Sequence, residues 1–213
     1  PRPPMAFVLP SNAPGVHAAW LTALALGHPV ALKPGSREPW TPYRITQVLV
    51  GSGLPEAMIG IYPGDHETAR ALVEASEHAV LFGDDATVER YRNTPTVDVR
   101  GPGRSKALVA RSVTTDPELI NRLALAVYEF AGRSCLNTSA IAVLDGTEQE
   151  VEALAAQLSA RLKALSVSEL GAWPSRSDAE GIRNWIRDLG HDAAVPEIVQ
   201  RPDGLWALTP VAF

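Results

Sequence analysis

The first half of the chain repeats one hydrophobic pattern, in which short apolar runs alternate with longer stretches that carry apolar positions at helical spacing. Met5-Ala6-Phe7-Val8-Leu9, stopped by Pro10, predicts a buried strand. The turn Ser11-Asn12-Ala13-Pro14-Gly15 leads into a predicted helix over 16–26, apolar round most of its circumference and therefore expected to be well buried. Gly27 stands where a left-handed cap would end it. Further strands are predicted over 29–33, 58–62, 79–82 and 96–99, with helices over 41–50 and 65–75 and a short one reaching Arg92. Short apolar strands separated by helices imply an α/β fold with a parallel sheet, which binds ligands at the carboxyl ends of its strands.

Gly101-Pro102-Gly103 breaks this rhythm, and a domain boundary is expected near Arg104. Beyond it the pattern predicts a strand over 106–110, a helix over 117–131 and a strand over 140–144. A long helix over 148–165 carries the stripe Val151, Leu154, Ala155, Leu158, Leu162 and Leu165, the mark of a core-facing side. Ser177-Asp178-Ala179-Glu180 is expected to cap a last helix that ends at Leu189 and is closed by Gly190. Strands over 196–200 and 205–208 flank Arg201-Pro202-Asp203-Gly204 as a hairpin.

Charge and composition narrow the function classes. The net charge is -5, and no basic cluster is denser than that between Arg100 and Lys106, which argues against a nucleic-acid partner. One cysteine excludes an internal disulfide framework and a cysteine-rich zinc site, and no metal is expected. No apolar run is long enough to span a membrane, and no basic-then-apolar leader opens the chain, so a cytoplasmic protein is the default expectation. The chain opens on Pro1-Arg2-Pro3-Pro4 without an initiator methionine and is expected to be an excised fragment.

The single cysteine, Cys135, lies between the helix over 117–131 and the strand over 140–144. Gly132 before it relaxes the backbone, and Ser134, Asn137 and Thr138 supply short polar side chains. Such a junction exposes a thiol to a ligand, with nearby amides and Arg133 favouring the thiolate. A buried cysteine acting as a small hydrophobe is the competing reading.

Four stretches together resemble the aldehyde dehydrogenase superfamily. Leu9-Pro10-Ser11-Asn12-Ala13-Pro14 is similar to its proline-x-asparagine-x-proline turn, and Ala31-Leu32-Lys33-Pro34 to its strand ending in lysine-proline. Val80-Leu81-Phe82-Gly83-Asp84 resembles its phenylalanine-threonine-glycine-serine segment, and Gly132-Arg133-Ser134-Cys135 its glycine-glutamine-x-cysteine. The resemblance implies a Rossmann-type cofactor-binding domain over 1–104 and a catalytic domain over 105–213, both partial. It implies that Cys135 attacks a carbonyl, and that Asn12 and the cysteine's own N–H stabilise the oxyanion. It further implies that Lys33 binds the adenosine ribose of a nicotinamide cofactor, which Gly64 and Gly83 let the backbone approach.

Departures from the family pattern suggest a branch. The glutamate that activates water in hydrolytic members is replaced by Arg100, which cannot act as a base, and Asp98 is two residues away. Loss of that base, with the segments Arg100-Gly101-Pro102-Gly103-Arg104-Ser105-Lys106 and Gly132-Arg133-Ser134-Cys135-Leu136-Asn137, suggests the fatty acyl-CoA reductases of the bioluminescence type. The expected substrate is then an acyl-CoA or acyl-carrier thioester. Arg100, Arg104 and Lys106 either meet its phosphates or form a solvated loop. An aldehyde-oxidising enzyme and a catalytically idle scaffold are the alternatives. Ser36 and Arg37 replace the acidic ribose partner of NAD-preferring members, which points to NADP(H), with NAD(H) as the alternative and Glu38 nearby. The resemblance also implies a homo-oligomer in the full-length protein.

Overall fold

The strand β1 (Met5–Val8) lies at the centre of a five-stranded sheet, paired in parallel with β2 (Val30–Lys33) on one side and β4 (His78–Phe82) on the other. Beyond them lie β3 (Ile59–Ile61) and β5 (Val97–Arg100), giving the order β3-β2-β1-β4-β5 with every pairing parallel. The connecting helices are α1 (His17–Ala25), α2 (Trp40–Gly51), α3 (His66–Glu74) and α4 (Asp85–Tyr91). The computed structural model describes residues 2–188 and 195–211. The chain divides into two compact units, Pro1–Pro102 and Gly103–Phe213. No helix among the described residues is long and apolar enough to cross a membrane.

Alternation along β1 and β4 sends side chains to two separate cores. Phe7 and Val80 join Leu9, Trp20, Ala23, Val30 and Leu32 on one side, and Ala6, Ala79 and Leu81 join Val73 on the other. Such burial contributes about 25 cal/mol per Å² of apolar surface removed from water. The chain leaves β1 in one direction to build β2 and β3, then returns to β1's other side for β4 and β5. That reversal is the point where open parallel sheets form a cleft. The all-round burial expected of α1 is not found: His17, Trp20 and Ala23 are buried, while Leu26 just beyond its end is 58% exposed.

The second unit contains β6 (Ser105–Ala110) and β7 (Thr138–Leu144), a parallel pair joined through α5 (Pro117–Tyr128). Then follow α6 (Glu148–Lys163), α7 (Arg176–Asp188) and the hairpin strands β8 (Ile198–Gln200) and β9 (Trp206–Leu208). Leu154, Leu158, Leu162 and Leu165 pack with Ile120, Leu123 and Val109, whereas Val151 and Ala155 of the expected stripe are exposed. Thr147 and Glu150 form a reciprocal capping box at α6, and those hydrogen bonds with the Arg111 guanidinium hold the Glu150 carboxyl down to about 2. Ser175, not Ser177, caps α7, since its hydroxyl accepts the Asp178 N–H at 3.1 Å. The helix end expected at Leu189 and Gly190 lies outside the described residues.

In the first unit, His17 is buried with its Nδ1 accepting the Trp20 indole N–H at 3.0 Å, which requires the neutral ring. Burial pulls its pKa below the ordinary 6.5, and the Glu38 charge opposes the shift. The unfolded chain therefore binds this proton more readily than the folded one. The stability contributed by neutral His17 is full above about 6.5 and is lost as the pH falls below it. Thermal melts should show Tm dropping between about pH 7 and pH 5.5, with a shallower drop in His17→Gln. An identical pH slope in the variant would assign the loss to other groups.

Candidate active site

A cleft of about 680 Å³ opens at the carboxyl ends of β1, β2 and β4, between α3 and α4. Lys33 closes β2 and lies on the cleft wall, with only 8% of its surface exposed. No acceptor binds its amine among the described residues, so a buried side chain presents its ammonium to the cleft. The stem of Lys33 is buried while its ammonium reaches the cleft, where a ligand bearing oxygens would meet its donors. Ser36 and Gly83 also line the cleft, as does Ser11 beside Asn12. Asn12 itself is half-buried in the turn after β1, and neither it nor Arg37 nor Gly64 lines the cleft.

The surroundings of these residues give several of them a structural role as well. Glu38 accepts the Thr41 N–H at 3.0 Å at the start of α2, so its carboxylate is engaged as a helix cap. Gly64 and Gly83 begin two copies of one cassette, Gly-Asp-x-x-Thr, at 64–68 and 83–87. In each, the aspartate caps the helix and bonds the threonine hydroxyl, which lies over the glycine. A Cβ on Gly64 would fall 2.7 Å from that of Thr68, and one on Gly83 would fall 2.8 Å from Oγ1 of Thr87. Packing against the capping threonine is thus reason enough for both glycines. The repeat was legible in the sequence and is the signal that would have drawn attention to Asp84, which also lines the cleft.

Cys135 belongs to the second unit and is exposed. Its setting is an unusual backbone. Instead of running to Ala131, α5 ends at Tyr128, and Phe130, Ala131 and Gly132 follow with φ of 53°, 58° and 67°. The first two are left-handed without being glycine, at a cost of about 1–3 kcal/mol each. Asn137 holds this turn. Its amide donates to the carbonyls of Ala126 and Glu129 at 3.0 Å, and its Oδ1 accepts the Ser134 N–H at 2.8 Å.

Arg133 serves the same loop rather than acting chiefly as a thiol neighbour. Its guanidinium donates to the Phe130 and Ala172 carbonyls and stacks 4.9 Å from the centre of the Trp173 ring. Burial lowers its pKa and the charge of Asp178 raises it.

Two contacts position the cysteine peptide. The Ser105 hydroxyl donates to the Cys135 carbonyl at 3.1 Å, and Ser139, bonded to Lys106, donates in turn to the Ser105 carbonyl. Gly103 lies so close to the Cys135 backbone that any side chain there would collide with it. The N–H groups of Ser134, Leu136 and Asn137 are all taken within the loop. That of Cys135 is bonded to none of the described residues, so it remains available to an oxyanion beside its own thiol.

In the first unit, Arg100 folds back along β5. Its Nε and Nη2 meet Oδ2 of Asp98 at 3.1 and 3.0 Å, and the guanidinium stacks 5.6 Å from the centre of the Phe82 ring. Asp98 is therefore committed to an ion pair.

The family model for the aldehyde dehydrogenase family matches residues 1–200. The chain belongs to the aldehyde dehydrogenase family. It is 27% identical over 172 residues to a malonate-semialdehyde dehydrogenase of Pseudomonas aeruginosa, covering 76% of this chain and 34% of that protein. A phenylacetaldehyde dehydrogenase of Pseudomonas fluorescens is 30% identical over 158 residues, covering 69% of this chain and 31% of that protein. Among solved structures, an indole-3-acetaldehyde dehydrogenase complexed with NAD+ superposes with a TM-score of 0.80 at 21% identity, covering 99% of this chain and 46% of that one. The chain thus spans about a third of the length of the curated relatives it matches. The relatives are named as aldehyde dehydrogenases, and none of these three is a fatty acyl-CoA reductase.

Gly103→Ala tests the positioning of Cys135. The new methyl must displace the cysteine peptide, so the variant should lose roughly 1–3 kcal/mol of stability, the range for overpacking, and its iodoacetamide labelling rate should change. Unchanged stability and labelling would contradict the close approach.

Proposed function

We propose that this chain carries the cofactor-binding and nucleophile-bearing parts of an NAD(P)-linked enzyme that oxidises an aldehyde through a covalent adduct on Cys135. The observation that carries the reading is the exposed thiol beside its own uncommitted N–H, on a loop held by Asn137 and Arg133. The thiolate adds to the aldehyde carbon, and the carbonyl oxygen takes the negative charge. The Cys135 N–H and the Asn12 amide are the proposed donors to that oxygen. A bound nicotinamide dinucleotide supplies the acceptor for the hydride lost as the adduct becomes a thioester. The names of the relatives, dehydrogenases of malonate semialdehyde and phenylacetaldehyde, support aldehyde oxidation.

The residues fit such a cofactor. Lys33 offers the ammonium of a buried side chain and Ser36 a hydroxyl to a ribose, in a cleft large enough for the adenosine half. Arg37, exposed one residue further on, is proposed to favour a ribose 2′-phosphate, which makes NADP(H) the proposed preference. NADPH should then bind more tightly than NADH by roughly 1.5–3 kcal/mol, with the gap reduced in Arg37→Ala. Equal affinities in the unmodified protein would leave NAD(H) as the cofactor.

One observation favours a second reading for the fate of the thioester. With Arg100 paired to Asp98, neither group is a free base for water. A thiol needs less help, since it is partly ionised near neutral pH. The thioester on Cys135 would then exchange with a coenzyme A-type thiol, and the same enzyme run backward reduces an acyl thioester to an aldehyde. Aldehyde-dependent formation of NAD(P)H should be abolished by Cys135→Ser. Added coenzyme A should raise the rate if exchange is the exit, and leave it unchanged if water is. General-base assistance is worth about 10²–10⁴-fold, so Arg100→Glu should speed release of free acid. Full turnover in Cys135→Ser would overturn the reading.

A further inference from the structure

The cleft between α3 and α4 carries a carboxylate where an incoming anion would be expected to bind. Helix N-termini in open parallel sheets attract phosphates because their first N–H groups are unsatisfied and the helix dipole is positive there. The seven-residue α4 is too short to offer such a site of its own, and its first turn is capped by a carboxylate. Asp84 Oδ1 accepts the Thr87 N–H at 2.9 Å and the Thr87 hydroxyl at 2.7 Å, and Asp84 lines the cleft. The matching cassette at α3 has Asp65 accepting the N–H groups of Glu67 and Thr68 at 3.0 and 3.2 Å, but Asp65 is not part of the cleft lining. The two sites share one local geometry and differ in whether the carboxylate lines the cleft. Glu67 adds a second acidic side chain to the lining, against Lys33, Arg70 and Arg90. Arg70 faces Glu74 at 3.8 Å. The charge of Arg90 acts on Asp84 and partly offsets it. Lys33, a buried side chain whose amine has no acceptor among the described residues, draws a ligand in, while Asp84 opposes the ligand's negative charge.

We propose that Asp84 sets the cofactor affinity of this cleft, holding the α4 N-terminus with a fixed negative charge so that a dinucleotide diphosphate binds against it rather than on the helix. This rests on the reading of the cleft as the cofactor site. Its consequence is a dinucleotide held mainly by its nucleoside end, at Lys33, and released easily. Both carboxyls sit below their ordinary value, Asp84 through its hydrogen bonds from the Thr87 hydroxyl and N–H and Asp65 first through the Thr68 N–H, so neither repulsion nor capping changes across the neutral range.

The test is calorimetric titration of the chain with adenosine, ADP-ribose and NADH, before and after Asp84→Asn and Asp65→Asn. Asparagine keeps a capping oxygen and removes the charge. Asp84→Asn should tighten ADP-ribose and NADH by roughly three- to tenfold, the effect of removing one unit charge from beside a partly screened anion, and leave adenosine unchanged. The gain should shrink at high salt. Asp65→Asn should shift none of the three by more than about twofold. Asp84→Ser, a second capping substitution, should repeat the gain if the asparagine variant proves unstable. Equal or weaker ADP-ribose affinity in Asp84→Asn, with adenosine still bound, would overturn the proposal and leave the cofactor site standing. No binding of any of the three ligands, in the unmodified chain and the variants alike, would overturn both.

Discussion

In a parallel sheet every strand ends on the same edge, and the chemistry of the first unit depends on that constraint. The carboxyl ends of β1, β2 and β4 bring Pro10, Lys33 and Gly83 to one edge because the chain builds outward from β1 in both directions. Helices on both faces bury the strands, so a charged side chain at a strand end is buried along most of its length and meets solvent or ligand only through the cleft. Lys33 is in that position. The same edge carries Arg100, whose pairing with Asp98 and stacking on Phe82 follow from β5 lying beside β4.

The second unit handles a different difficulty, which is presenting a thiol from a tight junction between a helix and a strand. Two left-handed non-glycine residues cost about 2–6 kcal/mol together. Asn137 offsets this by about 0.5–1.5 kcal/mol for each hydrogen bond it makes to the end of α5 and to Ser134, and Arg133 adds two more. The two sums are of the same size, so the turn persists without a large net penalty. One consequence is local. With Ser134, Leu136 and Asn137 already bonded, the Cys135 N–H is left over at the tip, bonded to none of the described residues.

Alternating strands and helices were legible because local sequence decides them. Apolar runs of strand length, aspartates before helices and the proline and glycine stops each act over a few residues. What escaped depends on partners distant in the chain. The end of α5 at Tyr128 is set by Asn137, which the helical pattern through Ala131 does not register. Val151 and Ala155 fit the stripe of α6 yet face an apolar groove that α5 and β7 do not fill. Leu26 sits in an apolar run but ends up beyond the part of α1 that meets the sheet. The four motifs were sufficient for the family. They were weaker for the branch, because the expected loss of a base at Arg100 is compatible with more than one exit for the proposed thioester, and the relatives are named for aldehyde oxidation.

That Cys135 forms the covalent adduct is tested most directly by intact mass. The chain is incubated with an acyl-CoA and then unfolded in acid before measurement. One acyl group should be found per chain, mapped to Cys135, removed by hydroxylamine and absent from Cys135→Ser. An adduct that persists in Cys135→Ser, or one that maps to another residue, would contradict its role as the nucleophile.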